Sequence, residues 1–206
     1  MAKAFDLVAS RLALFICDLQ NDFIHRDGAY ARAGQSAPAI AALPARVKPL
    51  ADAVRKAGGV IVATQFTLVP GRGGEPIISP HLKAMRPFLK RGDFAPGSWG
   101  QTTVDELQPV DIRIDKVAYS AFFASRLEWV LRKLGVDQVI VTGIVTNGGV
   151  ASTVRDAHVR DLDVMVCSDG CAAFSEDVHK AALAGLEPVA HITTIADVIR
   201  RIEGAA

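Results

Sequence analysis

The segment Val139-Ile-Val-Thr-Gly-Ile-Val-Thr-Asn-Gly-Gly-Val150, which continues as Ala151-Ser-Thr-Val-Arg-Asp-Ala157, decides the fold class. Its first half is a run of β-branched apolar residues too short to span a membrane, so it predicts a buried strand. Its second half has the features of a helix that begins at Thr146 or Asn147. A strand that enters a helix through a glycine-containing turn is typical of α/β proteins, and the helix start favours negative charge. The turn at residues 143–149 is therefore a candidate active-site floor, although it contains no nucleophile.

Length and composition favour one globular domain over residues 1–206. A chain of 206 residues is large enough to bury about 70 % of the surface that its unfolded form exposes. The 23 basic residues balance 22 acidic ones, so we expect a small-molecule substrate, no nucleic acid and no membrane partner. A hydrophobic fraction of 50 % favours a covered parallel sheet and a homo-oligomer, a dimer or larger.

The N-terminus and the cysteines give no sign of secretion or metal binding. Residues 1–10 lack a charged start followed by an apolar core and a cleavage site, so a cytoplasmic location is expected. Cys17, Cys167 and Cys171 are odd in number and lack paired metal-ligand spacing, which favours free thiols. The histidines are scattered through the chain. We therefore predict no metal and no other cofactor.

Apolar runs along the chain predict six strands. The predicted strands are residues 12–17, 60–63, 112–116, 138–143, 164–167 and 191–194. Asp18 follows the first strand, Gln65 follows the second, and Lys116 ends the third. In a parallel sheet these residues and the turn at 143–149 lie at one edge, where ligands of open α/β sheets bind.

Apolar residues at helical spacing and helix start and stop signals predict helices between the strands. The predicted helices are residues 40–57, 124–134, 147–157, 181–186 and 195–202. Residues 24–38 are predicted as a loop. Residues 68–103 lose periodicity at repeated Pro and Gly, which is typical of a lid or binding wall. The alternation predicts an α/β fold: a three-layer, doubly wound, mostly parallel six-stranded sheet with helices on both faces and a Rossmann-like topology.

Several segments, in the same order along the chain, resemble the isochorismatase-like hydrolase superfamily, also called the cysteine hydrolases. This superfamily includes nicotinamidases, N-carbamoylsarcosine amidases, ureidoacrylate and biuret hydrolases, and isochorismatases. The matching segments are Cys17-Asp-Leu-Gln-Asn-Asp-Phe23, Thr64-Gln-Phe66, Gly97-Ser-Trp-Gly100, Lys116-Val-Ala-Tyr-Ser-Ala-Phe122, Thr142-Gly-Ile-Val-Thr-Asn-Gly-Gly-Val150 and Arg155-Asp-Ala157. They span nearly the whole chain and together are highly specific.

The resemblance implies catalytic roles for Asp18 and Lys116, and a nucleophilic cysteine at the position that Gly149 occupies. The nucleophile position is thus vacant in this sequence. The resemblance also implies a non-proline cis peptide at Ile144–Val145, which turns the amides of Val145 and Gly149 toward a developing oxyanion. In relatives with cysteine, Asp takes the thiol proton, Lys favours the charged pair, and the thiolate attacks an amide carbonyl.

No native cysteine replaces the missing nucleophile in this interpretation. Cys17 adjoins Asp18 on a strand, so its side chain is expected on the opposite face, and Cys171 is placed beyond the fifth strand. Nicotinamidases carry a metal-binding Asp/His cluster around the second strand. Ala63-Thr-Gln-Phe-Thr-Leu68 contains no histidine, so we expect no metal and not a nicotinamidase.

Four further residues are predicted to bind substrate: Phe23, Gln65, Trp99 and Tyr119. Gln65 is expected to position the substrate from the end of its strand. Trp99 lies between glycines in the irregular segment and is expected to form a wall of the substrate site.

Three functions remain open at this point. The first, preferred here, is hydrolysis of a vinyl ether such as isochorismate, in which protonated Asp18 donates H⁺ to the terminal carbon and water captures the oxocarbenium ion. Some isochorismatases resemble this chain in having glycine at the cysteine position. The second is an amidohydrolase-like enzyme in which Asp18 activates water toward a small amide or carbamoyl compound. The third is a catalytically silent subunit that binds a metabolite or another protein.

Overall fold

A computed structural model describes residues 5–204, so residues 1–4 and 205–206 of the predicted domain, including the start of its N-terminal segment, lie outside the description. The six strands within residues 5–204 are β1 Leu12–Cys17, β2 Val60–Phe66, β3 Ile112–Lys116, β4 Gln138–Ile144, β5 Asp163–Ala172 and β6 His191–Thr193. They form one sheet in the order β3-β2-β1-β4-β5-β6, and every pairing is parallel. The predicted fold class is confirmed.

Nine α-helices connect or flank these strands within the described range. They are α1 Asn21–Ile24, α2 Ala29–Arg32, α3 Pro38–Ala41, α4 Leu43–Ala57, α5 Pro80–Met85, α6 Leu127–Leu134, α7 Ala151–His158, α8 Glu176–Ala184 and α9 Ile195–Gly204. None of them is long and apolar enough to cross a membrane.

The sheet is covered on both faces because alternate residues of each strand enter different cores. Leu12, Leu14 and Ile16 of β1 join the core that α4 and α9 close. Phe15 and Cys17 join the core that α6 and α7 close on the other face. Side chains alternate across a strand, so an apolar run without polar interruptions is what a strand buried on both sides requires.

The strand order places the carboxyl ends of β1 and β4 side by side at the centre of the sheet. The chain builds β1 to β3 in one direction and then returns to add β4 to β6 in the other. Cys17 pairs with Gly143, so Asp18 follows β1 next to the turn that follows β4. This reversal of direction creates the crevice in which open α/β sheets bind ligands.

Several element boundaries differ from the predicted ones. The helix expected over residues 40–57 is two helices, because Pro44 lies in the first turn of α4 and begins a new helix after α3. The helix expected from Ala124 begins at Leu127, since Ala124 has a φ of 50°, which no α-helix accommodates. Residues 24–38 contain α2, and the irregular segment contains α5.

The fifth strand is longer than predicted. β5 continues to Ala172 and pairs with β4 again beyond an irregularity between Val141 and Gly143. Cys171, expected beyond this strand, therefore lies within it opposite Gly143. The sequence Ser168-Asp-Gly170 resembles the end of a strand, but the strand continues through these residues with an irregular, bulge-like pairing.

Candidate active site

Asp18 leaves β1 in a sharp turn that directs its carboxylate toward β2. Its φ is 57°, in the left-handed region that Asp tolerates better than most residues. Its backbone N–H donates to the carbonyl oxygen of Thr64 at 3.1 Å. The Thr64 hydroxyl in turn donates to Asp18 Oδ1 at 2.8 Å. These two bonds fix the carboxylate and leave Oδ2 for other partners.

Lys116, at the end of β3, reaches across β2 to the same carboxylate. Its Nζ lies 2.7 Å from Asp18 Oδ2 and donates to the carbonyl oxygen of Ala118 at 3.1 Å. Asp18 is 4 % exposed and Lys116 is 2 % exposed, so the ion pair is almost completely withdrawn from water. The ring of Phe66 lies 5.7 Å from Nζ and covers one side of the ammonium group.

Burial controls the protonation of this carboxyl group. Desolvation raises the pKa of Asp18, and the charge of Lys116 and the hydrogen bonds from Lys116, Thr64 and the Phe66 backbone oppose the rise only in part. The carboxyl group therefore exchanges its proton at a higher pH than an ordinary aspartate. Such a shift suits a group that has to take up and release a proton in a reaction.

The turn after β4 forms the third side of the site. The Ile144–Val145 peptide bond is cis, and residues Thr146–Val150 form a single π-helical turn that leads into α7. Thr146 Oγ1 lies 2.8 Å from Nδ1 of His179 on α8, a contact that ties the turn to that helix.

Gly149, in this turn, faces the ion pair directly. A Cβ atom at this residue would lie 3.1 Å from Asp18 Oδ2 and 3.7 Å from Lys116 Nζ. It would also lie 2.9 Å from the carbonyl oxygen of Ile144. A side chain at position 149 would thus enter the space beside the carboxylate, which glycine leaves open to small molecules.

A cavity of about 240 Å³ opens above these groups. Its lining residues are Asp18, Phe23, Phe66, Ser79, His81, Leu82, Arg86, Lys116, Val117, Ala118, Tyr119, Ile144, Val145 and Gly149. The structure therefore brings Asp18, Lys116, Gly149 and four other predicted site residues, Phe23, Tyr119, Ile144 and Val145, to one cavity. A mostly apolar wall with a few convergent polar groups is the usual composition of a small-molecule site.

Gln65, predicted to position the substrate, does not line this cavity. Its side chain points to Thr103, with 3.4 Å between Nε2 and Oγ1, and borders a separate depression with Gln101 and Asp115. Successive side chains of a strand point to opposite faces, and Thr64 is the residue of β2 that faces Asp18. The structure thus places Gln65 at the predicted strand end, on the side of the strand opposite to the one that faces Asp18.

Trp99, predicted as a wall of the substrate site, also lies outside the cavity lining. It is 51 % exposed, and its ring edge packs on His25 at 4.9 Å. Its carbonyl oxygen accepts a hydrogen bond from the side chain of Asn21 at 2.9 Å. A Cβ at the next residue, Gly100, would lie 2.1 Å from an oxygen of Asp22, so glycine is required there. In this chain the segment around Trp99 anchors the start of α1.

The three cysteines are buried and none lines the cavity. Desolvation raises the pKa of Cys17 to about 12, and burial also raises the pKa values of Cys167 and Cys171. These thiols therefore stay protonated and unreactive at neutral pH. Within residues 5–204, no three His, Cys, Asp or Glu side chains form a group that could hold a metal ion.

Two contributions to the site were missed from sequence. Thr64 is identified only by the register of β2 with β1, which pairs it with Cys17, the residue before Asp18. Ser79, His81 and Arg86 come from the segment around α5. This helix has only six residues, too few to show a helical pattern of apolar residues.

Removing the lysine of the buried pair is expected to destabilise the fold. Lys116→Met leaves the Asp18 carboxylate buried without its counterion, which costs about 3–5 kcal/mol of unfolding free energy at neutral pH. The loss should shrink as the pH falls, because protonation of Asp18, whose pKa is already raised, removes the unpaired charge. Urea denaturation at neutral and mildly acidic pH measures both effects.

Lys48→Met provides the matched control, since Lys48 forms an exposed ion pair with Asp52 on α4. It should change the stability little at either pH. Equal stability losses in the two variants would show that the buried pair is no more important to the fold than a surface pair.

Comparisons with known proteins identify the family of this chain. A family model for the isochorismatase domain matches residues 12–197. The ureidoacrylate amidohydrolase RutB of Pantoea ananatis is 34 % identical over 197 residues, which cover 90 % of this chain and 79 % of that protein. The ureidoacrylate amidohydrolase RutB of Yersinia enterocolitica is 36 % identical over 196 residues, covering 89 % of this chain and 84 % of that protein.

Solved structures show the same architecture. A cysteine hydrolase from Pseudomonas syringae pv. phaseolicola superimposes with a TM-score of 0.85 at 26 % identity, over 100 % of both chains. An N-carbamoylsarcosine amidase from Thermoplasma acidophilum gives a TM-score of 0.71 at 23 % identity, over 90 % of this chain and 96 % of that one, which shows the shared fold. With a family model matched over most of its length and relatives above 30 % identity, the chain belongs to the isochorismatase family and is a hydrolase of the isochorismatase-like type.

Proposed function

We propose that the protein hydrolyses the C–N bond of a small amide or carbamoyl compound with water that Asp18 activates. The observation that carries the proposal is the position of Asp18 Oδ2. It lies 2.7 Å from Lys116 Nζ and 3.1 Å from the point where a Cβ of residue 149 would be. A basic oxygen therefore borders the space that a side chain at residue 149 would enter, and a water molecule fits that space.

The reaction follows from these positions. Asp18 takes a proton from water while the water oxygen bonds to the carbonyl carbon, and the C=O electron pair moves onto the carbonyl oxygen. The backbone amides of Val145 and Gly149, both at the cavity wall, are the proposed donors to this oxyanion. When the C=O bond reforms, the C–N bond breaks and the leaving nitrogen takes the proton from Asp18. Lys116 holds the carboxylate in place throughout, and the aspartate ends the cycle ionised.

The apolar wall gives this reaction a suitable environment. Phe23 and Tyr119 line the cavity and are proposed to pack against the substrate. Exclusion of bulk water strengthens the interactions of the Asp18 carboxylate and of the amides with the reacting atoms.

The relatives favour amide chemistry over the vinyl ether chemistry preferred from sequence. The two relatives at 34 % and 36 % identity are named ureidoacrylate amidohydrolases. We accordingly propose the amide or carbamoyl substrate first. Vinyl ether hydrolysis remains the competing mechanism because it uses the same aspartate in the opposite protonation state.

The pH dependence separates these two mechanisms. If Asp18 acts as a base, kcat/KM should fall as the pH drops through the raised pKa of Asp18. This fall, the acid limb of the pH–rate profile, should occur above the ordinary aspartate pKa of about 3.9. For an acid acting on a vinyl ether, kcat/KM should instead fall as the pH rises through the same pKa. The assay measures ammonia release from ureidoacrylate and a panel of small amides and ureas, and pyruvate release from isochorismate.

The proposal predicts that the protein releases ammonia from an amide or urea and that kcat/KM for this reaction falls toward acid pH. Pyruvate release that increases on acidification, without turnover of any amide or urea, would contradict it. Circular dichroism across the same pH range has to show that the protein stays folded. The fall in kcat/KM can then be assigned to protonation of Asp18 and not to unfolding.

A further inference from the structure

The hydroxyl of Thr146 is a buried polar group in the turn that carries Gly149. Thr146 is 0 % exposed and is the first residue of the π-helical turn Thr146–Val150. Its Oγ1 lies 2.8 Å from Nδ1 of His179, and within residues 5–204 the hydroxyl forms no other hydrogen bond. A buried hydroxyl without a partner costs stability, so this contact decides whether the hydroxyl is satisfied.

The contact with His179 connects this turn to a helix that is distant in the chain. The N–H groups of Gly148 and Val150 donate to the carbonyl oxygen of Val145 at 2.9 and 3.3 Å, so these two bonds stay inside the turn. In the described range, the contact with His179 is the single hydrogen bond involving a side chain that joins the turn to another element. It therefore fixes the turn relative to α8.

Neither partner of this contact lines the cavity above Asp18. Val145 and Gly149 belong to the lining of that cavity, whereas Thr146 and His179 do not. His179 is half-buried on α8 and borders a separate cavity of about 470 Å³, which shares no lining residue with the first. A side chain in this place does not touch a substrate beside Asp18, so it can influence the reaction only through the turn.

The position of the turn matters because Gly149 lies directly beside Asp18. A Cβ atom at Gly149 would be 3.1 Å from Asp18 Oδ2, so the backbone at this point of the turn borders the carboxylate. A displacement of about 1 Å in a group that has to meet the reacting atoms can cost about 10²-fold in rate. The amides of the turn therefore need a fixed position relative to Asp18.

We propose that His179 is a positioning residue, which holds the turn through Thr146 so that the amides of Val145 and Gly149 face the reacting carbonyl group. The role of these amides rests on the proposed function. The ordering of the turn by His179 can be measured without any turnover.

Two substitutions remove the contact from either side. Thr146→Val replaces the hydroxyl with a methyl group, and His179→Leu replaces the imidazole with an apolar side chain that has the second cavity beside it. Each should lower kcat by about ten- to a hundredfold and change KM by less than about threefold, since oxyanion donors act mainly in the transition state. The double variant should be no slower than the slower single variant, because both changes remove the same contact. The assay measures ammonia release from the amide or urea that the parent hydrolyses fastest.

His179→Asn distinguishes positioning from packing. The asparagine amide can place a polar atom where Nδ1 of the imidazole lies, so this variant should recover most of the kcat that His179→Leu loses. A role in packing alone would make leucine the better replacement. His158→Leu is the matched control, since His158 is exposed at the end of α7 and lines neither cavity. It should retain parental kinetics.

Hydrogen exchange followed by mass spectrometry tests the ordering of the turn without a substrate. Thr146→Val and His179→Leu should each speed the exchange of residues 145–151 by about three- to tenfold, the effect of one lost hydrogen bond. Exchange in β1 and α6 should not change. The Tm should fall by only about 2–4 °C, so the variants remain folded in the assay.

The positioning role and the hydrolase can fail separately. Unchanged kcat in both single variants, an equal loss in His158→Leu, additive losses in the double variant, or no recovery in His179→Asn would each overturn the positioning role. If the parent hydrolyses no amide or urea, the proposed reaction is rejected and the exchange measurement decides alone. Faster exchange confined to residues 145–151 then supports the role of His179, and exchange that is unchanged or faster throughout the sheet overturns it.

Discussion

Asp18→Asn is expected to lower kcat/KM for the amide or carbamoyl substrate by about 10²- to 10⁴-fold, the usual contribution of a general base. The amide side chain is nearly the same size and can still accept the hydrogen bond from Thr64. It cannot take a proton from water, so the loss should appear in kcat, and the acid limb of the pH profile should disappear. Steady-state assays of ammonia release measure both.

Asp115→Asn is the matched control for this substitution. Asp115 precedes Lys116 on β3, but it is exposed and its carboxylate accepts from Gln101 on the other face of the strand. We expect it to retain parental kinetics. Because Asp18→Asn also leaves Lys116 buried without a counterion, denaturation curves must show that the variant is folded under assay conditions. Turnover unaffected by Asp18→Asn would exclude the proposed mechanism.

The fold was predictable because its signals are local and repeated. Each strand buried on both faces is a short β-branched run, and the alternation with helices permits few topologies. Asp18, Lys116 and the turn that contains Gly149 follow separate strands, yet parallel pairing brings their ends to one edge. These residues were predictable without any distance, because the strand order of a parallel sheet places them at the same edge.

The side of a strand that faces the site was harder to predict. Thr64 and Gln65 are adjacent polar residues at the end of β2, and only the register with β1 shows which one meets Asp18. Cys17 pairs with Thr64, and the positive φ of Asp18 then turns its carboxylate toward the Thr64 hydroxyl. Neither the register nor a left-handed backbone angle can be read from residue types at this position.

The path of residues 68–103 could not be predicted, because long-range hydrogen bonds determine it. Trp99 is held outward by contacts with the start of α1, where Asn21 and Asp22 bind backbone groups of residues 99–102. Arg86 reaches the cavity at the end of a six-residue helix within the same segment. An aromatic residue between glycines predicted a substrate wall, and nothing in the sequence distinguishes Arg86 from the other charged residues of this segment.

Gly149→Cys is expected to raise amide hydrolysis by about 10³-fold or more, because removing a nucleophile from enzymes that use one costs at least this much. Gly149 has no positive φ, so its backbone angles do not by themselves exclude a side chain. A Cβ there lies 3.1 Å from Asp18 Oδ2, which can take the thiol proton, and 3.7 Å from Lys116 Nζ, whose charge favours the thiolate. The Cβ would lie 2.9 Å from the backbone carbonyl oxygen of Ile144, closer than Cβ atoms normally approach another atom, so the backbone of the turn has to shift to admit the side chain.

Gly149→Ala is the control that separates the thiol from the added volume. Its methyl group occupies the space next to Asp18 where water is proposed to react, so it should lower the activity of the glycine enzyme. Iodoacetamide should label Gly149→Cys selectively, because the three native cysteines are buried and their pKa values are raised. If Gly149→Cys hydrolyses amides no faster than Gly149→Ala, and the parent releases pyruvate from isochorismate, the aspartate acts as an acid on a vinyl ether. An increase confined to Gly149→Cys would show instead that Asp18, Lys116 and the turn at residue 149 form an amidase site that can use either water or a thiolate.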